Sequence, residues 1–207
     1  MKTAVVSLVL AGLAAVGLGT LLVVGWSGTQ PASSDRFVGS RPPGLIAMPR
    51  FVLDDYDGTT VTTEDLRGEV VVLTFLDTKC TEACPIIATE VVRAWRMLSP
   101  KERRVVVVVA ISTDPRDDTP ASIRAFLRRH RALGTFRYLA GPIPEMKRVW
   151  SSFQILSSFE SGDADTHSAP VRVYGRDGTW LATLHPGADL TPENLAHDVR
   201  VALDASR

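Results

Sequence analysis

The chain has 207 residues with 23 basic and 23 acidic side chains, so its formal net charge is zero. A balance of this kind gives no general attraction to nucleic acid, and no nucleic-acid partner is expected. The length suits one globular core once the apolar N-terminus is set aside.

From Thr3 to Trp26 there is no charged residue, and only Lys2 precedes the run. At about 24 residues this stretch can cross a hydrocarbon core of roughly 30 Å as a helix, whereas the apolar region of a cleavable signal peptide is about 7–15 residues long. Residues 1–28 are therefore expected to be a single-pass transmembrane anchor, or an uncleaved signal. Lys2 agrees with a cytoplasmic N-terminus and a domain on the extracytoplasmic side of the cell membrane. Residues 29–47 are rich in Ser, Gly and Pro without apolar periodicity and read as a linker, leaving residues 48–207 as the domain.

The domain opens with Phe51 to Leu53, a turn at Asp57-Gly58 and Thr60 to Thr62, the pattern of a β-hairpin, with a helical turn at Thr63 to Leu66. Val70 to Leu76 is a nearly unbroken apolar run, as in a strand buried on both faces. Both cysteines of the chain follow at once, in Thr78-Lys79-Cys80-Thr81-Glu82-Ala83-Cys84-Pro85. Pro85 suits a first helical position, and Ile87, Val91, Trp95 and Leu98 recur on one helical face. The cysteines thus sit where strand gives way to helix, near unpaired N–H groups that favour thiolate over thiol.

Val105 to Ile111 is a second continuous β-branched run, and the loop Ser112 to Pro120 ends in Thr119-Pro120, an N-cap and first position for a helix through Leu133. A short strand at Phe136 to Leu139, a helix at Pro144 to Phe153 and a polar loop at Ser157 to Asp165 come next. The hairpin Val171 to Tyr174 and Thr179 to Leu184 turns at Arg176-Asp177-Gly178, and Thr191-Pro192-Glu193 caps a last amphipathic helix. Strand–helix–strand followed by helix, hairpin and helix is the plan of an α/β thioredoxin-like fold. The strands at Val70 and Val105, joined by a helix, should be parallel neighbours, since such crossovers are right-handed in about 98% of cases.

Closing so short a Cys80–Cys84 loop removes little unfolded-state entropy, which argues against a purely structural disulfide. A structural zinc site wants four ligands, and one cysteine pair does not supply them. What remains is a redox dithiol, a soft-metal site, or both. Thiolates favour monovalent copper, and an imidazole would complete three ligands. Of the four histidines, His130 lies in a basic helical face with Arg128, Arg129 and Arg131, and Arg124 shares that solvated face. His197 lies on the last helix, and His185 follows a strand. His167 is placed differently, before the final hairpin, where the thioredoxin plan lays a loop against the cysteines. Asp114, Asp117 and Asp118 read as loop-shaping and capping residues, with docking of a partner as a second role. Trp95 and Trp150 read as core.

Cys-x-x-x-Cys-Pro at Cys80 to Pro85, Asp-Pro-x-x-Asp-Thr-Pro at Asp114 to Pro120 and Asp-x-His-Ser at Asp165 to Ser168 together resemble the SCO/SenC family over about residues 48 to 204. The resemblance implies a membrane-anchored extracytoplasmic domain that binds a copper ion through Cys80, Cys84 and His167. It further implies a metallochaperone for the dinuclear copper centre of cytochrome c oxidase, with that enzyme's copper-bearing subunit or another copper carrier as partner. Some members are thiol–disulfide reductases, so an extracytoplasmic thiol–disulfide oxidoreductase acting through Cys80 and Cys84 is the alternative, with Cys80 as the attacking thiol. The sequence departs from the family pattern in two places. Thr81 stands where members often carry proline after the first cysteine, and aspartate precedes the histidine by two places at Asp165 rather than by one, at Thr166. Pro170 is placed somewhat like the cis-proline that thioredoxins set opposite their cysteines.

Overall fold

A computed structural model describes residues 37–205. The predicted anchor, residues 1–28, lies outside the described residues. No helix among the described residues is long and apolar enough to cross a membrane.

Strand β3, Val70–Leu76, is buried at all seven positions and organises the domain. Its alternate side chains feed two separate cores, as the two-residue period of a strand requires. Val70, Val72 and Leu76 pack in one cluster with Cys84, Ile87 and Val91 of helix α1 (Ala83–Met97), Ile123 and Phe126 of α2 (Pro120–Arg129), and Leu195 and Val199 of α5 (Pro192–Ala205). Val71, Leu73 and Phe75 pack in the other with Met146, Val149, Trp150 and Phe153 of α3 (Ile143–Phe153). A sheet covered by helices on both faces explains why β3 reads as a continuous apolar run rather than an alternating one.

Seven strands form a single sheet in the order β2-β1-β5-β4-β3-β6-β7. Here β1 is Val52–Asp55, β2 Thr60–Thr62, β4 Val106–Ser112, β5 Phe136–Ala140, β6 Val171–Tyr174 and β7 Trp180–Leu184. Strand β4 lies parallel to β3 with Val70 opposite Val106 and Leu76 opposite Ser112, as the crossover rule predicts. Strand β6 runs antiparallel to β3, with Leu73 opposite Arg172. That register brings the chain entering β6 alongside the chain leaving β3, so residues just before Val171 lie beside the cysteine loop. The β1–β2 hairpin is antiparallel, as expected, and joins the sheet through β5.

Several boundaries differ from expectation. Helix α1 starts at Ala83 rather than Pro85, which places Cys84 inside its first turn. Proline is tolerated there because the first four N–H groups of a helix have no intrahelical partner in any case. Helix α2 stops at Arg129 instead of Leu133: Arg131 takes φ 56°, in the left-handed region, and Leu133 is exposed. The polar loop after α3 contains a short helix, α4 (Ser158–Ser161), capped by the Ser157 hydroxyl. Trp150 is fully buried with its Nε1–H donating to Ser112 O at 2.8 Å, whereas Trp95 is only partly buried at the edge of its cluster. No cis peptide occurs among the described residues, so Pro170 does not reproduce the thioredoxin cis-proline.

Part of what the sequence presents as linker is fixed structure. Ser40 bridges to Thr183 of the edge strand and Ala47 to Thr179 just before it, and the carboxylate of the buried Asp198 accepts the N–H groups of Val38 (2.7 Å) and Gly39 (2.9 Å). A Cβ at residue 39 would stand 2.7 Å from Thr183 O and 3.1 Å from Asp198 Oδ2, so glycine is required by close approach. Gly39→Ala is therefore expected to destabilise the domain by about 1–3 kcal/mol, the usual cost of overpacking, seen as a lower urea midpoint at unchanged slope. A midpoint equal to wild type would show that this segment is not part of the cooperative fold.

Candidate metal centre

Cys80, Cys84 and His167 come together. Both cysteines are buried free thiols. The histidine is half-buried, and the three ligand atoms lie within 4.8 Å of one another. The Nε2 of His167 is 3.2 Å from Cys84 Sγ across a separation of 83 residues. Its Nδ1 lies 3.1 Å from Ser168 O, which holds Nδ1 as the protonated nitrogen and leaves Nε2 with a lone pair toward the sulfurs. His185 instead lies beside Asp189, 3.9 Å away, and His130 packs on the Phe126 ring at 4.6 Å. Neither approaches the cysteines within ligand distance among the described residues.

The two sulfurs sit in different electrostatic settings. The Cys80 thiol is pulled down to about 5, chiefly because Cys84 hydrogen-bonds to it; burial opposes this, and His167 and the N–H groups of Cys84 and Glu82 add to it. The Cys84 N–H points at Cys80 Sγ from 3.3 Å. For Cys84 the same contact raises the pKa, with burial and the Cys80 charge adding to the effect. Burial works against a charged His167, but the Cys80 thiolate and the Ser168 carbonyl outweigh it, so its pKa is raised. The metal-free site is thus one thiolate on Cys80, one thiol on Cys84 and an adjacent imidazole.

Carboxylates hold the surrounding loops. Asp118 is buried, its pKa pushed up to about 6 by that burial, and it accepts from Thr78 N (2.9 Å), Ser112 Oγ (2.7 Å) and Tyr138 Oη (2.8 Å). Asp77, also buried, accepts from Lys79 N (2.7 Å) and Ser158 Oγ (2.6 Å). Asp117 pairs with Lys79 at 2.7 Å, and Asp114 with Arg116. The Asp-Pro-x-x-Asp-Thr-Pro loop therefore supports the cysteine loop from behind, a more specific part than the loop-shaping inferred from sequence, while Thr119 caps α2 as expected. Sequence reasoning missed Asp77, whose signal was a charged residue directly after a fully apolar strand. Beside His167 a cleft of about 630 Å³ opens, its lining including Arg41, Arg172 and His185 but no acidic side chain.

A family model for SCO1/SenC matches residues 41–204. The chain belongs to the SCO1/SenC family. Among curated relatives, a SCO1 protein homolog of Bacillus subtilis is 27% identical over 159 residues, covering 73% of this chain and 80% of the relative. The solved structure of Bradyrhizobium japonicum ScoI with copper bound is 27% identical with a TM-score of 0.64, covering 75% of this chain and 98% of that one. BsSco, a member of the Sco family of cytochrome c oxidase assembly proteins in which a disulfide switch was identified, is 25% identical with a TM-score of 0.64, covering 79% and 96%. This SCO1/SenC chain thus shares the α/β sheet fold of those proteins and carries a Cys–Cys–His cluster of its own.

Because the folded environment lowers the Cys80 pKa, its thiolate persists well below the ordinary thiol range and is lost only as pH falls through about 5. The ultraviolet thiolate absorbance of the reduced protein, which the Cys80→Ser variant should lack, is expected to titrate with a midpoint near that value. A midpoint near about 8.5, the ordinary cysteine value, would contradict the described electrostatics.

Proposed function

We propose that this chain is a membrane-anchored copper metallochaperone that carries monovalent copper on Cys80, Cys84 and His167. The convergence of two cysteines and one histidine within 4.8 Å, from the loop and first helical turn after β3 and the loop before β6, carries the reading. Two soft thiolates and an imidazole suit monovalent copper better than the harder biological cations. Loading removes the proton from Cys84, so binding is favoured by a neutral or alkaline medium and by reduction of the dithiol. Residues 1–28 tether the domain to the cell membrane on its extracytoplasmic side, a role supported by the uncharged run from Thr3 to Trp26. The recipient is the copper-bearing subunit of cytochrome c oxidase or another copper carrier, a role supported by family membership and by the relation to BsSco.

A second reading, a thiol–disulfide oxidoreductase, is favoured by the inequality of the two sulfurs. The Cys80 thiolate would attack a substrate disulfide, releasing one substrate thiolate. Cys84, on losing its proton, would then resolve the mixed disulfide. The dithiol ends oxidised to Cys80–Cys84 and the substrate is reduced to two thiols. In this reading His167 is dispensable as a metal ligand.

Titration of the reduced chain against a chromophoric copper(I) chelator separates the two. One ion per chain is expected for the reduced protein and none for the Cys80–Cys84 disulfide. Cys80→Ser and Cys84→Ser should each abolish tight binding, and His167→Ala should weaken it by at least the roughly tenfold that losing an outer-shell partner costs a metal site. Wild-type copper affinity in His167→Ala, together with loss of disulfide turnover in both cysteine variants, would favour the oxidoreductase.

A further inference from the structure

The loop carrying His167 spans residues 156–168 and includes α4 at its start. Its base closes on itself, with Leu156 N donating to Ser168 Oγ and Ser168 N to Leu156 O, both at 2.9 Å. Near its tip Asp163 organises the turn, accepting from Asp165 N at 3.1 Å and from the Thr166 hydroxyl at 2.8 Å. These bonds shape the loop without fixing where it lies. The α4 end is held separately, with Ser158 Oγ donating to Asp77 at 2.6 Å and to Thr113 Oγ1 at 2.9 Å and Phe159 N donating to Thr113 O at 3.0 Å.

Besides the His167 Nε2–Cys84 Sγ contact, the His167 end of the loop is joined to the cysteine segment by one carboxylate. Asp165 Oδ1 accepts the N–H of Thr81 at 2.6 Å and that of Glu82 at 3.2 Å, while Oδ2 accepts the Thr81 hydroxyl at 2.9 Å. Two of these donors are backbone N–H groups leading into α1, whose N-cap, Glu82, provides no side-chain cap of its own. Asp165, 83 residues downstream of Glu82, therefore pins the segment that enters α1, beside the positive end of that helix, to the loop that bears His167. The two departures from the motif pattern are the two ends of this contact. A proline at residue 81 would offer neither the N–H nor the hydroxyl, leaving Oδ2 without a donor and Oδ1 with Glu82 alone.

We propose that Asp165 and Thr81 form a clamp that seats the His167 loop on the cysteine loop, so that the imidazole is in place as third donor before metal arrives. This rests on the reading of the site as a metal carrier. Asp165 is a positioning residue, since it acts through His167 and not on the ion. The physical gain is preorganisation: ordering a loop at the moment of binding lowers the observed affinity by the ordering cost, and a clamp that orders it in advance removes that loss. The clamp is exposed to water, so its bonds count for less than buried ones. The expected effect is accordingly about tenfold rather than the hundredfold of a strong charged hydrogen bond.

The test uses the reduced full chain, copper(I) competition with a chromophoric chelator, and amide hydrogen exchange of the metal-free protein. Asp165→Ala and Thr81→Pro should each weaken copper(I) binding by about tenfold, Thr81→Val, which keeps the N–H, by less, and Thr81→Ser should bind as wild type does. In a His167→Ala background, Asp165→Ala should cause no further loss, because its effect passes through the imidazole. The Thr81 and Glu82 amides should exchange faster in Asp165→Ala than in wild type, with the β3 amides unchanged. The proposal is overturned if Asp165→Ala binds copper as wild type does, or if its effect adds in full to that of His167→Ala. Should His167→Ala itself bind as tightly as wild type, the carrier reading fails. Exchange then still decides the contact, since unaltered Thr81 and Glu82 protection in Asp165→Ala would refute the clamp.

Discussion

The pairing of β6 against β3 sets the distance on which the site depends. With Leu73 opposite Arg172 in an antiparallel register, the strand that ends at Leu76 and the strand that begins at Val171 have their loops at the same end of the sheet. Cys80 and His167 then meet without either loop crossing the sheet. A slip of that register by one residue would turn Val171 and Val173 away from the core of α1 and α5 and move the histidine loop along the strand at the same time. Burial of β3 on both faces is what forbids the slip. The hydrophobic core is thus also the ruler of the site.

Polar groups do the finer positioning. Asp118 joins the start of the cysteine loop to β4 and β5 through Thr78, Ser112 and Tyr138, and Asp77 joins it to α4 through Ser158. Each buried carboxylate is costly unless its oxygens are satisfied, and both accept more than one hydrogen bond. The result is a rigid cradle around a pair of thiols that differ in acidity although they are four residues apart. Cys80 gains N–H donors at the start of α1, while Cys84 lies deeper and keeps its proton. A dithiol of this kind can bind a soft cation or exchange with a disulfide, and the imidazole next to it distinguishes the first task from the second.

Most of this architecture is legible in the sequence where one force dominates. The run Val70 to Leu76 could only be a strand buried on both faces, and its bounds are those of β3. Thr119-Pro120 announced a helix start, and the hydroxyl of Thr119 does accept the Ser122 N–H. Legibility fails where local preferences compete. Pro85 is placed two residues inside α1 because the first-turn N–H groups are free in any case, and α2 ends early because Arg131 leaves the helical region with no proline or glycine to signal it. His167 stood out from His130, His185 and His197 through its place in the fold plan rather than through its neighbours. The contacts of Asp77 with Ser158, of Asp118 with Thr78 and of Asp165 with Thr81 join residues 81, 40 and 84 positions apart, and no local pattern encodes them.

Copper carriage by this site requires two sulfurs and one imidazole nitrogen together around the ion. X-ray absorption of the reduced protein loaded with one equivalent of copper(I) measures that donor set directly. A three-coordinate ion with two sulfur neighbours and one nitrogen, the nitrogen lost in His167→Ala, is the predicted result. A linear two-sulfur ion in the wild type, unchanged by His167→Ala, would contradict it.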